Sequence, residues 1–206
     1  MKAQFTNWYF GGYRISAPAH SKLEAFCMEL QDEFPKLVIR HKRDVWWQWI
    51  IHAFVCVFTL FQNRKYINEF TTTGKDVIYL SDNCHAIATN ESSILTSNYL
   101  YSCLRHERVH LRGFRDRGIF VMIMLWLFPP ILFCYGRAII IEKPAYLETM
   151  RADFAVNSDR VELKGYRDWW ISQFTSSNYG WMWIIKSQVE RWFDDELVKL
   201  QEMREI

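Results

Sequence analysis

Residues Leu104 to Phe114 read LRHERVHLRGF. In an α-helix, positions four apart share one face, about one turn from each other. His106 and His110 therefore point the same way, and both imidazoles reach one metal ion. Glu107 directly follows the first histidine and completes HExxH, a recurring zinc arrangement whose glutamate acts as general base. A catalytic zinc takes three protein ligands and keeps a fourth position for water. The metal brings the pKa of that water near neutrality and polarises a scissile carbonyl. Glu107 is the group to take the water's proton and pass it to the leaving amine. The expected cofactor is one Zn2+ ion.

The third ligand must come from further along. His110 is followed by Leu-Arg-Gly, so no third histidine stands in the continuation. Two carboxylates compete, Glu142 and Glu148. On a helix beginning at Gly136, Glu142, Tyr146, Thr149 and Asp153 form one stripe, and Glu148 lies about 120° round from Glu142. The Glu142 stripe also offers polar groups that can orient a histidine from behind, so Glu142 is preferred and Glu148 is its rival. Pro144 sits inside this segment as an irritant to the helix, and a helix starting only after Glu142 would weaken the preference for that residue. Asp153 and Asn157 are candidate acceptors for a ligand's Nδ1–H. Tyr146 and Tyr179 are candidate donors to an oxyanion. His20, His41, His52 and His85 lack ligand spacing.

HERVH, then an apolar stretch containing Pro129 and Pro130, then Glu142-Lys143-Pro144-Ala145-Tyr146 together resemble gluzincin-type HExxH zinc metallopeptidases. The likeness is to the small, minimal members found in bacteria and their phages. It covers about residues 70–157 and extends to the YGWMW turn from Tyr179 to Trp183. The resemblance implies that Glu142, as the glutamate of ExxA(D/Y), is the third ligand. It also implies that TTTGKDVIYL forms the strand lining the upper rim of the cleft. An exposed strand edge binds extended peptide through main-chain hydrogen bonds, and Val77 to Leu80 is the candidate edge. The implied activity is hydrolysis of peptide bonds in a peptide or protein substrate. The alternatives are a membrane-embedded HExxH zinc protease and a non-catalytic zinc-binding or structural protein. Glu107 counts against the last, because a purely structural site has no use for a base.

The elements that must position these groups follow from composition and pattern. Hydrophobic residues make up 50% and charged residues 23% of the 206, which is a globular balance. A net charge of +2 argues for no nucleic-acid partner. Ten tryptophans imply a core filled with large rings. Five cysteines, an odd number without CxxC spacing, read as free thiols of a reducing compartment. The first residues lack a signal-peptide layout. The expected location is intracellular, in the cytoplasm, with membrane association as the alternative. Residues 45–62 and 118–136 are uncharged and close to the length of a membrane span, roughly 18 residues. Gln48 and His52 in the first, and Pro129-Pro130 in the second, favour buried helices.

Ser21 to Phe34 reads as a helix capped by Ser21, and a strand follows from Leu37. The segment from Val45 is a helix, and Phe70 to Leu80 a strand or hairpin. SDNCHAIATNESS reads as a polar loop. The motif helix runs from Ser93 to about Arg112, with Gly113 as its stop. An apolar hairpin, a helix from Gly136 to Asn157, an aromatic turn and an amphipathic helix from about Lys186 complete the chain. The expected fold is α+β: predominantly helical, with a zincin-like active-site helix preceded by a small β-sheet or hairpin. The expected organisation is one domain over residues 1–206, with a core of about 66–160. The N-terminal helical region 1–65 and the C-terminal aromatic turn plus helix, 161–206, pack on that core.

Overall fold

Among the described residues, strands occupy only the first part of the chain, and helices make up most of the remainder. The computed structural model describes residues 5–18, 21–89, 94–127, 136–177, 183 and 185–204. It is an α+β structure dominated by helices, as the sequence pattern predicts.

The chain opens with an antiparallel hairpin of β1 (Phe5–Phe10) and β2 (Tyr13–Pro18), where the pattern led to no strand. Gly11 and Gly12 make the turn with φ of 57° and 88°, the left-handed geometry that a two-residue hairpin needs. Trp8, Phe10, Ile15 and Ala17 alternate inward. Helix α1 (Lys22–Glu33) starts where expected, with the Glu24 N–H donating to Ser21 Oγ at 3.1 Å.

Strand β3 (Val38–His41) lies parallel to β5 (Val77–Leu80), and β4 (Thr72–Thr73) lies antiparallel on the other side of β5. The order β3-β5-β4 corrects the expectation for Val77 to Leu80. That strand is the centre of the sheet, with both its edges paired, and the edge nearer the motif is β4. Between β3 and β4 come α2 (Trp46–Phe58) and α3 (Tyr66–Glu69).

The presumed loop after β5 is instead helix α4 (Asp82–Thr89). Ser81 caps it, accepting from the Cys84 N–H at 3.4 Å, and Cys84 and Ala88 bury one turn apart. Cys27, Cys56, Cys84 and Cys103 are all free thiols.

Helix α5 (Ile94–Arg117) carries the motif. Leu100, Leu104 and Leu111 fall on one stripe and are fully buried in a core shared with α1, the hairpin and the sheet. Gly113 does not stop this helix. A Cβ there would meet Met122 Cε at 3.1 Å, so the glycine serves the close approach of α6 (Ile119–Leu127). The helix ends at Gly118, whose φ is 81° and whose N–H bonds Phe114 O at 3.0 Å. The Pro129-Pro130 half of the apolar hairpin lies outside the described residues.

The chain resumes with a π-helical turn, Ala138–Glu142, closed by the Lys143 N–H donating to Ala138 O. Helix α7 (Lys143–Val156) continues from it. Pro144 thus falls in the first turn of α7, where its missing N–H costs little. In an unbroken α-helix its ring would clash with the carbonyl four residues back. The widened turn is how the chain keeps helix on both sides of this proline.

Helices α8 (Ser158–Val161), α9 (Lys164–Thr175) and α10 (Lys186–Arg204) finish the fold. Trp170, Phe174, Trp183, Trp192 and Phe193 form an aromatic core with Tyr146 of α7. Of the YGWMW turn only Trp183 is described; its N–H bonds Phe174 O at 3.0 Å. Among the described residues, no helix is long and apolar enough to cross a membrane.

Candidate metal centre

α5 and the π turn bring three ligand-type side chains together: His106, His110 and Glu142, all buried. His106 Nε2 and His110 Nε2 are 3.1 Å apart. Glu142 Oε2 is 3.6 Å from the first and 3.8 Å from the second. Atoms bound tetrahedrally at ~2.0–2.1 Å around zinc lie about 3.3 Å from one another, and the three separations bracket that value. Glu142 Oε2 is buried and has no hydrogen-bond partner. A buried carboxylate oxygen left without a partner is costly, and a shared cation between it and two imidazoles removes the cost. The donor set of two nitrogens and one carboxylate oxygen suits a divalent ion such as zinc.

The surroundings hold these atoms in ligand form. Thr149 Oγ1 donates to Ala145 O at 3.2 Å and lies 3.1 Å from His106 Nδ1. Its one proton is thereby used, so it accepts from Nδ1–H and leaves the Nε2 lone pair facing the centre. Burial keeps the His110 imidazole below its ordinary pKa, against the opposing pull of Glu142, which favours the neutral ligand form. Burial works to raise the Glu142 carboxyl. The His106 and His110 imidazoles and the Arg137 guanidinium outweigh it and bring it down to about 2. Arg137 Nε stands 3.7 Å from Glu142 Oε1, the oxygen turned away from the histidines.

Glu107, one residue from the first ligand, is 3% exposed. Its Oε2 accepts from Thr73 Oγ1 of β4 at 2.5 Å. Burial raises its pKa, against the lowering effects of His110 and the Thr73 hydrogen bond. A carboxylate raised in this way is poised to receive a proton. Behind this layer sits Lys42, fully buried, with Nζ donating to Phe70 O at 2.6 Å and Tyr66 O at 3.3 Å. Burial lowers its pKa to about 7, with Glu107 acting the other way.

The remaining candidates separate clearly. Glu148 faces arginines instead of the histidines: it pairs with Arg105, with Arg108 at 3.5 Å and with Arg151 at 3.7 Å. Tyr146 is buried with its ring edge-on to His106, centroids 4.8 Å apart, in the aromatic core. Asp153 accepts from Ser102 Oγ and Tyr166 Oη, and Asn157 caps α8. Neither reaches a histidine of the motif; Thr149 of the same stripe does. Tyr179 and His20 lie outside the described residues. His41 and His85 stack 3.8 Å apart, and His41 bonds Asp82 at 2.9 Å.

Thr73 and Arg137 were not singled out from the sequence. Thr73 reaches Glu107 across 34 positions, and no local pattern carries such a contact. Arg137 had a local signal, a cation five residues before Glu142. Comparison with known families, curated proteins and solved structures found no match. The site therefore rests on its own geometry, a buried two-histidine, one-glutamate group able to hold one metal ion.

Proposed function

We propose that the chain is a zinc-dependent peptidase of gluzincin type, with His106, His110 and Glu142 holding one ion and Glu107 as general base. The observation that carries this reading is the orphaned Glu142 Oε2 facing two imidazole nitrogens, with a raised-pKa carboxylate in the residue beside His106. A zinc ion in such a site supplies Lewis acidity toward a carbonyl and makes water acidic near neutral pH.

The chain's own residues do the rest. Glu107 receives the proton of the attacking water and delivers it to the leaving nitrogen. The Thr73 hydroxyl holds one oxygen of that carboxylate and leaves the other to accept. Thr149 fixes the His106 tautomer. The Tyr146 hydroxyl is assigned as donor to the developing oxyanion, supported by the seating of its ring against His106. The substrate class follows from β4. It is the edge of the sheet beside Glu107, and an extended peptide adds to such an edge through main-chain hydrogen bonds.

Glu107→Gln is the decisive variant. Peptide hydrolysis falls by about 10²–10⁴-fold while bound zinc stays at the wild-type level. Unchanged hydrolysis removes Glu107 from the mechanism. Wild-type protein that binds zinc and cleaves no peptide in a mixed library leaves a metal-binding protein in place of an enzyme.

A further inference from the structure

Helix α2 is built inside out. Its one buried side chain is Gln48, which accepts from Tyr66 Oη at 2.7 Å. Trp46 is 73% exposed, Ile50 58%, Phe54 54% and Val57 62%. Helix α6 buries Met122 against Phe114 and Ile141 but leaves Ile119, Phe120, Val121 and Ile123 exposed. An ordinary surface helix shows its polar face to water and buries the apolar one. Apolar surface on this scale marks a face that leaves water in use.

The turn after α2 gives a second, independent sign. The Phe61 N–H bonds Cys56 O at 2.6 Å, and the Leu60 N–H bonds Val57 O at 3.0 Å. This is the helix stop in which a glycine normally takes the left-handed position. Here Leu60 and Phe61 take it, with φ of 50° and 61°, and both side chains are exposed. Backbone strain at a bulky residue is kept where surroundings or use require it. In water, two exposed apolar side chains return nothing for that strain.

The charges identify the partner. No charged residue lies between Val45 and Gln62, or between Gly118 and Gly136. Arg40 precedes α2, Arg64 follows it and Arg117 precedes α6. All three are exposed and make no ion pair with a carboxylate among the described residues, and Arg64 Nε donates to Phe61 O at 3.2 Å. Against these three cations at the borders stands one exposed carboxylate without an ion pair among the described residues, Asp44 just before Val45. A net positive border on apolar helix faces matches the boundary between acyl chains and anionic headgroups. At 13 residues α2 is about 20 Å long, short of the roughly 30 Å hydrocarbon core, so it lies along the surface.

We propose that α2 with its Leu60–Phe61 turn, together with α6, docks the protein on a bilayer surface containing anionic phospholipid, inserting into one leaflet without spanning it. This holds whether or not the metal site is a peptidase. The test is flotation of the full chain with vesicles of phosphatidylcholine alone and of phosphatidylcholine mixed with phosphatidylserine. Wild type floats with the mixed vesicles, less with the neutral ones, and salt weakens the difference. The Ile50→Glu/Phe54→Glu/Val57→Glu variant loses affinity by about tenfold or more. Leu60→Gly separates docking from folding: it raises the thermal midpoint by relieving strain and lowers vesicle affinity. Wild type that floats with neither vesicle overturns the proposal. So does a triple variant that binds vesicles as wild type does. A wild-type dimer that the triple variant dissociates, with no flotation, assigns the face to a second copy of the chain instead.

Discussion

The metal centre and helix α2 are opposite solutions to the same problem. Around the centre the chain buries titratable groups: His106, Glu107, His110, Glu142 and Lys42 are all removed from water. Four of them are met by a designated neighbour. Thr149 meets His106, Thr73 meets Glu107, Arg137 faces Glu142, and two carbonyls take the Lys42 ammonium. Glu142 Oε2, facing both histidines, is left buried without a hydrogen-bond partner. Along α2 the chain exposes apolar rings and buries a glutamine. Unpaired buried charge and exposed apolar surface both raise the free energy of the isolated fold. Each departure would be relieved from outside the fold, by a cation in one place and a surface in the other.

The comparison breaks most readily on tryptophans. Trp170 is 1% exposed in the aromatic core, and Trp46 is 73% exposed on α2. Trp170→Ala is expected to cost about 3–5 kcal/mol in a chemical denaturation series. An effect below about 1 kcal/mol on that same scale denies that the α7–α10 core is tightly packed.

A smaller effect tests how the centre is oriented. Thr149→Val keeps the shape of the side chain and removes the acceptor for His106 Nδ1–H. Zinc affinity measured by competition with a chelator should drop by about 10–100-fold, with the thermal midpoint of the metal-free chain little changed. Equal affinities in the two proteins exclude a tautomer role for Thr149.

Lys42 gives a pH signature. Its folded pKa, about 7, is below the ordinary 10.5 of the unfolded chain. Between those values the unfolded chain binds the extra proton, so this residue's contribution makes stability rise with pH and fall again toward neutrality. Lys42→Met should flatten that slope between pH 7 and 10. Parallel slopes for the two proteins, read from urea midpoints, argue that the ammonium stays charged in the fold. The smallest expected effect belongs to the other tryptophan: Trp46→Ala should move stability by no more than about 0.5 kcal/mol without vesicles.

What the sequence made legible divides by range. HExxH needs only a helix to bring His106 and His110 together, and the surrounding pattern declared that helix. The stripe through Glu142 and Thr149 came from the same periodicity. The reading failed where a residue had two meanings. Ser81 and Asp82 open a loop or cap a helix, and only the burial of Cys84 and Ala88 decides for the helix α4. Gly113 reads as a stop, yet it makes room for Met122. Pro144 reads as an interruption because a 3.6-residue period has no place for a π turn. Gly11-Gly12 between alternating aromatics is itself a hairpin signal. The central place of β5 depends on pairing with β3, nearly forty residues earlier, which no local pattern reveals.

The most direct measurement is the metal content of the purified chain after zinc loading, beside a His106→Ala/His110→Ala double variant of matched fold by circular dichroism. The account predicts one tightly held zinc in the wild type and none in the variant. One zinc retained by the double variant, or none taken up by the wild type, would contradict it.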